Sequence, residues 1–358
     1  MTANKWLPTQ DAQAELPADI PINVGDLGNP GYIYTVTHNE LLDKFIPEEP
    51  AIIPGLIVNG ITILAGAPKI GKSFLVLQIA YHVSTGLAMW DIPIQKGEVL
   101  YLALEDTEHR LQQRAYRMFG SEGSDLLHFA TASKKVNQGL QEQLTYFLNK
   151  HPNTNLIIID TMQATRDGTP KGNLYAEDCN FMESVQAFRK EHRISILLVH
   201  HTRKMPNQND SFNMVGGSNG NMGGADTTIV MTKEKRTDQK AVLECTGRDI
   251  PDLKFILQRN QDNLTWELAE TETDSWSQPV DPILEHIALL VTRENPDLRC
   301  SPTELTNLLE TDWPANRLSR HLNANTNVLR EQYHIYHTSK TEHAGRKICF
   351  HYDNTGNK

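Results

Sequence analysis

The sequence of 358 residues contains little cysteine, only four residues far apart in the chain, Cys179, Cys245, Cys300 and Cys349. This spacing is typical neither of a disulfide framework nor of a metal site, and we interpret the four as free thiols in a reducing cytoplasm. The chain also lacks a run of about 18 apolar residues, so no membrane-spanning helix is predicted. The N-terminal stretch has neither a basic start nor an apolar segment, and we expect no secretory signal there.

An excess of positive charge is also absent. The formal net charge is −10, with 34 Lys and Arg residues against 44 Asp and Glu residues. A protein that coats nucleic acid needs a basic surface, because neutralisation of phosphates supplies most of that affinity. Any contact with nucleic acid must therefore come from a local basic patch. The length allows one large α/β domain and a smaller one.

The most informative stretch is residues 61–80, whose pattern predicts a buried strand, a glycine loop and the start of a helix. Residues 66–73, GAPKIGKS, fit the phosphate-binding pattern G-x-x-x-x-G-K-[ST] at every fixed position. The glycines let backbone N–H groups face a triphosphate where a side chain would clash. Lys72 can reach the β- and γ-phosphates, and the Ser73 hydroxyl can bind Mg²⁺. We therefore predict that the chain binds ATP and Mg²⁺. The residues expected to contact the nucleotide are Gly66, Ala67, Pro68, Lys69, Ile70, Gly71, Lys72, Ser73 and Phe74.

Buried strands alternate with helices from about residue 50 to residue 200. This alternation predicts an α/β fold in which a largely parallel sheet is covered by helices on both sides. Shorter and more polar strands at 227–231, 240–246, 253–258 and 264–268 predict an antiparallel extension of that sheet. We expect the ATPase domain to span residues 50–270 and a linker to span residues 271–281.

Residues 1–49 are expected to form an N-terminal extension that is partly disordered or engaged between subunits. It is rich in Pro, Asp, Asn and Gly in its first 30 residues. Within it, THNELLDKF at 37–45 predicts a short helix capped by Thr37 or Asn39.

Residues 282–358 have a different pattern, from which we expect a second, small domain. Helices are predicted at 282–294, after a capping box that begins at Ser301, and at 313–324. Two strands, 334–339 and 347–352, follow around a turn. Three helices followed by a two-stranded ribbon are typical of a winged helix–turn–helix domain.

From Trp313 onward the chain is basic, unlike the chain as a whole, with seven Lys and Arg residues against three Asp and Glu residues. Arg317 and Arg320 lie on the third predicted helix, and Arg346 and Lys347 lie in the predicted wing. These positions suit contacts with the phosphates of duplex DNA. Winged helices also dock proteins, so a protein partner stays open as the alternative.

Two carboxylates follow strands that should border the phosphate loop. Asp160 ends the strand NLIIID, where a carboxylate can hold Mg²⁺ through water. Glu105 follows the strand EVLYLAL and is placed to orient a water molecule for attack on the γ-phosphate. Asp106 is the second candidate for this role. The alternative is that Glu105 and Asp106 are an ordinary acidic pair that caps the next helix.

Two adjacent histidines, His200 and His201, end another buried strand. Neighbouring residues of a strand point to opposite faces, so the two are not expected to bind one metal ion together. We predict that His201 donates a hydrogen bond toward the γ-phosphate and reports its loss to the next loop. A purely structural histidine pair is the alternative.

Five segments together resemble the RecA-like, DnaB-related AAA ATPases: LAGAPKIGKS, YLALEDTEHR, LIIIDTM, LLVHHTRK and GGSNGNMGGADTTIVM. In these particular forms they look most like the RepA-type hexameric helicases of plasmids and their relatives in phages and integrated elements. The resemblance covers about residues 50–260. It implies a RecA-like P-loop core and a homo-oligomeric ring, expected to be a hexamer. In such a ring ATP binds between subunits and single-stranded DNA passes through the centre.

The resemblance also implies roles by position. Lys72 and Ser73 would act on the nucleotide and Mg²⁺, Glu105 as the catalytic carboxylate, Asp160 on Mg²⁺ and His201 as the sensor. An arginine from the adjacent subunit would complete the site, since a planar cation matches the charge that spreads over the transferring phosphoryl group. Our candidate for this arginine finger is Arg248, in ECTGRD. The runner-up is Arg236, and a surface arginine is the structural alternative.

Loops 163–173 and 204–224 occupy the positions at which ring ATPases of this class grip DNA. Lys171, Arg203 and Lys204 supply positive charge there. The alternative interpretation is that these two loops are disordered and bind no partner.

Taken together, the motifs predict an ATP-hydrolysing ring helicase or DNA translocase that acts in the replication of a plasmid, a phage or an integrated mobile element. The alternative is an ATP-dependent DNA-binding regulator or replication initiator that does not unwind DNA. DNA-stimulated ATP turnover with strand separation distinguishes the first from the second.

Overall fold

The computed structural model describes residues 33, 35–46, 51–166, 174–202, 223–235, 237–248, 250–273, 281–342 and 345–353. The chain divides into two compact units. The large unit is Glu49–Pro279, and the small unit joins Met1–Glu48 with Val280–Lys358.

Nine strands of the large unit form one sheet in the order β3-β2-β4-β5-β1-β6-β7-β8-β9. The strands are β1 (Ile61–Gly66), β2 (Glu98–Ala103), β3 (Leu127–Ala130), β4 (Thr154–Asp160), β5 (Ser195–His201), β6 (Thr227–Thr232), β7 (Lys240–Gly247), β8 (Leu253–Arg259) and β9 (Trp266–Thr273). The strands β1 to β6 pair in parallel, and β7 to β9 continue the sheet with antiparallel pairs. The predicted largely parallel sheet with an antiparallel extension is confirmed.

Nine α-helices lie within the described residues: α1 (His38–Asp43), α2 (Lys72–Thr85), α3 (Glu108–Phe119), α4 (Leu140–Lys150), α5 (Leu174–His192), α6 (Pro282–Leu290), α7 (Pro302–Leu308), α8 (Ala315–Ala324) and α9 (Thr326–Tyr333). In that part of the chain, no helix combines the length and the apolar character needed to cross a lipid bilayer.

Successive residues of the central strands pack on opposite faces of the sheet. In β1, Ile61 and Ile63 belong to one apolar cluster and Leu64 belongs to the other. The cluster around Leu64 includes the apolar residues of α2 and α3, and the other cluster includes those of α4 and α5. Strands covered on both faces must be apolar at nearly every position, and all six residues of β1 are buried.

The small unit has its own apolar core, formed by helices on a three-stranded sheet. Its strands are β10 (Asp297–Cys300), β11 (Ile335–Glu342) and β12 (Gly345–Tyr352), in the antiparallel order β10-β12-β11. Leu305 of α7, Leu318 of α8, Leu329 of α9 and Ile348 of β12 are fully buried in this core.

Several predicted boundaries in this region were wrong. The first helix ends at Leu290 instead of residue 294, because Asn295 folds back and its side-chain amide donates to the Leu290 carbonyl oxygen at 3.0 Å. The helix α9 and the strand β10 were not predicted. The Asn-rich stretch before α9 resembles a turn, yet Leu329 is buried there and holds the helix against the core. In the large unit, β9 extends to Thr273, into the segment predicted to be a linker.

The helix α1 packs within the small unit. Thr37 caps it, and Thr37 and Glu40 form a reciprocal capping box, which confirms one of the two predicted caps. Asp43 at its end accepts two hydrogen bonds from the guanidinium of Arg320, at 2.7 and 3.0 Å. The Phe45 ring contacts His337 edge-on, at 5.3 Å between centroids. These contacts tie the segment to α8 and to the three-stranded sheet.

Candidate functional site: the phosphate loop

The loop between β1 and α2 needs glycine at both ends. A Cβ atom on Gly66 would lie 2.6 Å from the backbone oxygen of Met231 in β6. Gly71 has φ of +109°, and a Cβ atom there would lie 2.7 Å from the Trp266 ring. The loop therefore packs closely against β6 at Gly66 and against β9 at Gly71. It ends at the N-terminus of α2, where backbone N–H groups attract anions.

Trp266 of β9 holds the C-terminal end of the loop in place. Its indole N–H donates to the Gly71 carbonyl oxygen at 3.2 Å. Its backbone exchanges two hydrogen bonds with the side-chain amide of Gln78 in α2, at 2.7 and 2.9 Å. The last antiparallel strand therefore fixes both the loop and the first turns of the helix that follows it.

The ammonium group of Lys72 lies inside the loop. Its Nζ donates to the carbonyl oxygens of Gly66 at 2.7 Å and Ala67 at 2.9 Å. Burial lowers the pKa of Lys72 to about 8, while the carboxylates of Asp160 and Glu105 act in the opposite direction. The group is charged at neutral pH, poorly hydrated, and placed beside the N-terminus of α2. An anionic ligand is the natural partner for it.

His201 connects Lys72 with Glu105. Its Nδ1 lies 3.1 Å from Nζ of Lys72, and its Nε2 lies 3.7 Å from a carboxylate oxygen of Glu105. An ammonium group can only donate, so Nδ1 accepts this hydrogen bond and Nε2 carries the ring proton. The structure therefore brings His201 to the loop, whereas His200, its neighbour on β5, is buried.

The carboxylate of Glu105 faces the loop and is open to water. One of its oxygens accepts a hydrogen bond from the Thr161 hydroxyl at 2.9 Å, and its side chain is 59% exposed. Asp106 also lines the cavity, but its side chain is only 10% exposed and pairs with two arginines of α3, Arg110 at 3.3 Å and Arg114 at 2.7 Å. Between the two rivals, the geometry favours Glu105 for orienting water.

Asp160 and Ser73 meet at the carboxyl end of β4. The Ser73 hydroxyl hydrogen-bonds to the Asp160 carboxylate, and the buried Tyr101 hydroxyl donates to the same carboxylate at 3.0 Å. Burial raises the pKa of Asp160, and these two hydrogen bonds oppose the rise. Oxygen ligands suit Mg²⁺, so the hydroxyl and the carboxylate fit the predicted magnesium pair.

The site is a cavity of about 680 Å³ whose wall contains every predicted loop residue from Pro68 to Phe74, together with Glu105, Asp160 and His201. The wall also contains four cations that the sequence analysis missed, Arg110, Arg114, Lys233 and Arg259. Arg110 and Arg114 of α3 follow Asp106 at a spacing of about one and two helical turns, which could have revealed them. Lys233 follows β6 and Arg259 ends β8, and no local pattern indicates them.

Arg259 is the most constrained of these cations. Its guanidinium lies over the Phe74 ring at 4.0 Å and over the Trp266 ring at 4.9 Å. Burial lowers its pKa to about 10, and the nearby positive charges of Arg114 and Arg117 act in the same direction. These positive charges repel one another, and a polyanion that binds between them would relieve the repulsion.

Arg248 lies far from the phosphate loop of its own chain. Gly247, the last residue of β7, pairs with Thr227 at the start of β6, whereas Gly66 pairs with Met231 near the end of β6. Arg248 therefore lies at the opposite end of the strands from the phosphate loop. Its guanidinium donates to the Gly223 carbonyl oxygen at 3.0 Å and is 61% exposed.

Other predicted residues fall outside the described part of the chain. These are Lys171, Arg203, Lys204 and Arg236, together with most of the two predicted DNA-gripping loops. The backbone just before the second loop is described, and the Thr202 N–H donates to the Gly66 carbonyl oxygen at 3.2 Å.

The four cations predicted to contact duplex DNA each have a partner within the small unit. Arg317 lies over the Trp313 ring at 3.9 Å, and Lys347 lies 3.6 Å from Glu304. Arg320 pairs with Asp43, and Arg346 donates to Ser339 at 2.7 Å and to the Asp43 carbonyl oxygen at 3.1 Å. The sequence could not reveal the Asp43 contacts, because Asp43 precedes Arg320 by 277 residues.

We expect Gly66→Ala to destabilise the large unit by about 1–3 kcal/mol, because the new methyl group would force the backbones of β1 and β6 apart. Urea denaturation measures this. Gly123→Ala is the matched control, since a Cβ atom on Gly123 meets nothing within 4 Å. It should stay within about 0.5 kcal/mol of wild type. Equal losses in the two variants would contradict the close approach at Gly66.

The lowered pKa of Lys72 predicts a pH dependence of stability. The folded state releases this proton near pH 8, whereas the unfolded state holds it to a pH near the ordinary lysine value of 10.5. The unfolded state then binds more protons between these values, and the free energy of unfolding should rise with pH in that window. The comparison is wild type against Lys72→Met, by urea denaturation from pH 7 to pH 10. Curves that stay parallel would show that Lys72 is not desolvated.

Comparison with known proteins gives one family match. Residues 33–207 match the family described as an AAA domain. No curated protein matches significantly. Among solved structures, one described as an ATPase domain has a TM-score of 0.49 at 13% identity, and the match covers 59% of this chain and 85% of the other. A DnaB-like replicative helicase, solved with its interactions with primase, has a TM-score of 0.49 at 11% identity and covers 58% of each chain. The matched segment contains the phosphate loop, Glu105, Asp160 and His201, and this part of the chain is similar to an AAA domain.

Proposed function

We propose that this protein is an ATP-hydrolysing motor that assembles into a homo-hexameric ring and moves along single-stranded DNA. The observation that carries the proposal is the line of contacts from Lys72 through His201 to Glu105, at the mouth of the phosphate loop. This line joins a phosphate-binding cation to a carboxylate that can orient water. A carboxylate that orients water is needed by an enzyme that cleaves the γ-phosphate, whereas simple nucleotide binding does not need one.

In this proposal each residue has a separate task. Lys72 leaves the Gly66 and Ala67 carbonyl oxygens and neutralises the β- and γ-phosphates. Ser73 and Asp160 hold Mg²⁺, which supplies charge neutralisation at the phosphate oxygens when bound. Glu105 accepts a proton from the attacking water molecule, which its exposed position allows.

His201 would couple hydrolysis to DNA movement. It touches Lys72 in the structure, and the next residue, Thr202, donates its N–H to the Gly66 carbonyl oxygen. The same carbonyl oxygen accepts from Lys72. A phosphate ligand that draws Lys72 away therefore changes two contacts of the chain that enters the second proposed DNA loop, with its cations Arg203 and Lys204.

The arginine finger would come from the neighbouring subunit. Arg248 supports this proposal because it lies at the opposite end of the strands from its own loop and is exposed. From that end it is remote from its own nucleotide, and a partner's site is where its charge would be useful.

We further propose that the small unit is a winged helix and that the protein serves the replication of a plasmid, a phage or an integrated element, as the RepA-type motifs suggest. Duplex DNA would contact Arg317 directly, and Lys347 after it leaves Glu304. Arg320 and Arg346 would first have to exchange Asp43 for phosphate oxygens.

The test of the motor is ATP turnover with and without single-stranded DNA, with the mass in solution measured in the presence of ATP. We expect single-stranded DNA to stimulate turnover in an oligomer that separates strands. Glu105→Gln should lower turnover by about 100-fold or more because the proton acceptor is lost. Asp106→Asn, the matched control, should lower it by less than about tenfold. A monomer that ignores DNA, or a larger loss in the Asp106 variant, would contradict the proposal.

The arginine finger is tested by mixing two defective proteins. Arg248→Ala should lower turnover by about 10³-fold or more. Mixing it with Glu105→Gln protein should restore part of the activity, because one interface then combines an intact Glu105 with an intact Arg248. Failure of mixed rings to recover activity, while each variant still assembles, would show that Arg248 does not act across the interface.

A further inference from the structure

A second cluster of functional groups lies at the end of β2 that is remote from the phosphate loop. Glu98 begins this strand and Ala103, which lines the nucleotide cavity, ends it. Five residues of strand span about 17 Å, so the two places are separate. Glu98 is joined there by His128 of β3 and by His151, which ends α4. We call these three residues the Glu98 cluster.

The donor atoms of the Glu98 cluster converge. A single carboxylate oxygen, Oε1 of Glu98, lies 2.6 Å from Nε2 of His128 and 2.7 Å from Nδ1 of His151. All three ligand atoms lie within 4.8 Å of one another. Glu98 is buried at 7% exposure, while both imidazoles are partly exposed.

Packing fixes the orientation of both rings. The His151 ring stacks on Phe147, with 4.3 Å between centroids and 18° between planes. The His128 ring meets the same Phe147 ring edge-on at 5.3 Å. Phe147 therefore holds the two imidazoles in place, so little side-chain freedom is left to lose on binding a ligand.

We propose that the Glu98 cluster binds a divalent transition-metal ion, and that Zn²⁺ is the ion that suits it. Two imidazole nitrogens with one carboxylate oxygen are a zinc donor set that leaves a fourth position open. Ligand atoms about 2.1 Å from zinc stand about 3.4 Å apart in a tetrahedron. The carboxylate oxygen would retreat by less than about 1 Å from each imidazole to reach that spacing. Since the rings are partly exposed, water can fill the fourth position.

The ion would act as a structural link. β3 is a strand of four residues at the edge of the sheet, and only β2 pairs with it among the described strands. The cluster takes one ligand from each of β2 and β3 and one from the end of α4. A bound ion would thus fasten the edge strand to its neighbour and to the helix that covers it, without touching the nucleotide site.

The experiment is a Zn²⁺ titration of the full chain, purified without a histidine tag and treated with a chelator, followed by calorimetry and thermal unfolding. Excess Mg²⁺ is present throughout to occupy the carboxylate at the phosphate loop. We expect one equivalent of Zn²⁺ to bind and to raise Tm by about 5 °C or more at roughly a hundredfold excess over Kd. Co²⁺ bound in its place should show the visible absorption of a four-coordinate site.

Matched variants separate the cluster from the other histidines of the chain. Glu98→Gln retains a hydrogen-bond acceptor but is a poor ligand, and His128→Gln removes an imidazole. Each should weaken Zn²⁺ binding by about tenfold or more, which at the same Zn²⁺ concentration reduces the rise in Tm to about half or less. His351→Gln is the control, because His351 pairs with Asp297 in the small unit at 2.7 Å and lies outside the cluster. Binding of no equivalent to wild type, or equal binding to wild type and Glu98→Gln, would show that the cluster is only a hydrogen-bonded triad.

Discussion

The ammonium group of Lys72, buried against the carbonyl oxygens of its own loop, is the constraint on which the rest of the large unit depends. A desolvated cation is costly unless it is surrounded by acceptors, and two carbonyl oxygens with one imidazole meet that need. Gly66 must be glycine for the loop to come so close to β6. Trp266 must reach the loop from the last strand of the sheet to hold its other end. The nine-stranded sheet provides both contacts at once.

The parts of this arrangement that the sequence predicted are those with local patterns. The loop GAPKIGKS, the apolar strand before Asp160 and the strand before His201 are each recognisable from about ten residues. The parallel sheet brings their ends together, which makes the convergence of Lys72, Asp160 and His201 foreseeable. The contacts that could not be foreseen join distant segments. Arg259 and Trp266 belong to antiparallel strands whose sequence resembles any exposed hairpin, and only the register of the sheet places them beside Gly71.

The small unit also contains contacts between distant segments that its sequence does not predict. Its basic residues are visible in the sequence, and a surface rich in arginine suggests phosphate as the partner. In the structure the Arg320 guanidinium donates hydrogen bonds to the Asp43 carboxylate, and Arg346 donates one to the backbone carbonyl oxygen of Asp43. Composition reveals where positive charge is placed. It does not reveal which acceptor of the same chain pairs with each arginine, because that depends on how α1 packs.

The position of Arg248 has a geometric consequence for assembly. The phosphate loop and this arginine lie at opposite ends of the strands, so a contact between the arginine of one subunit and the loop of another joins unlike surfaces. Head-to-tail contacts, each repeated by the same rotation, would bring the proposed arginine finger of each subunit to the loop of the next. Such contacts either close on themselves or grow into a filament, and a closed assembly leaves no loop without its arginine. With Arg248 as the proposed arginine finger, such an assembly would have its full set of catalytic groups only when the last subunit completes the circle.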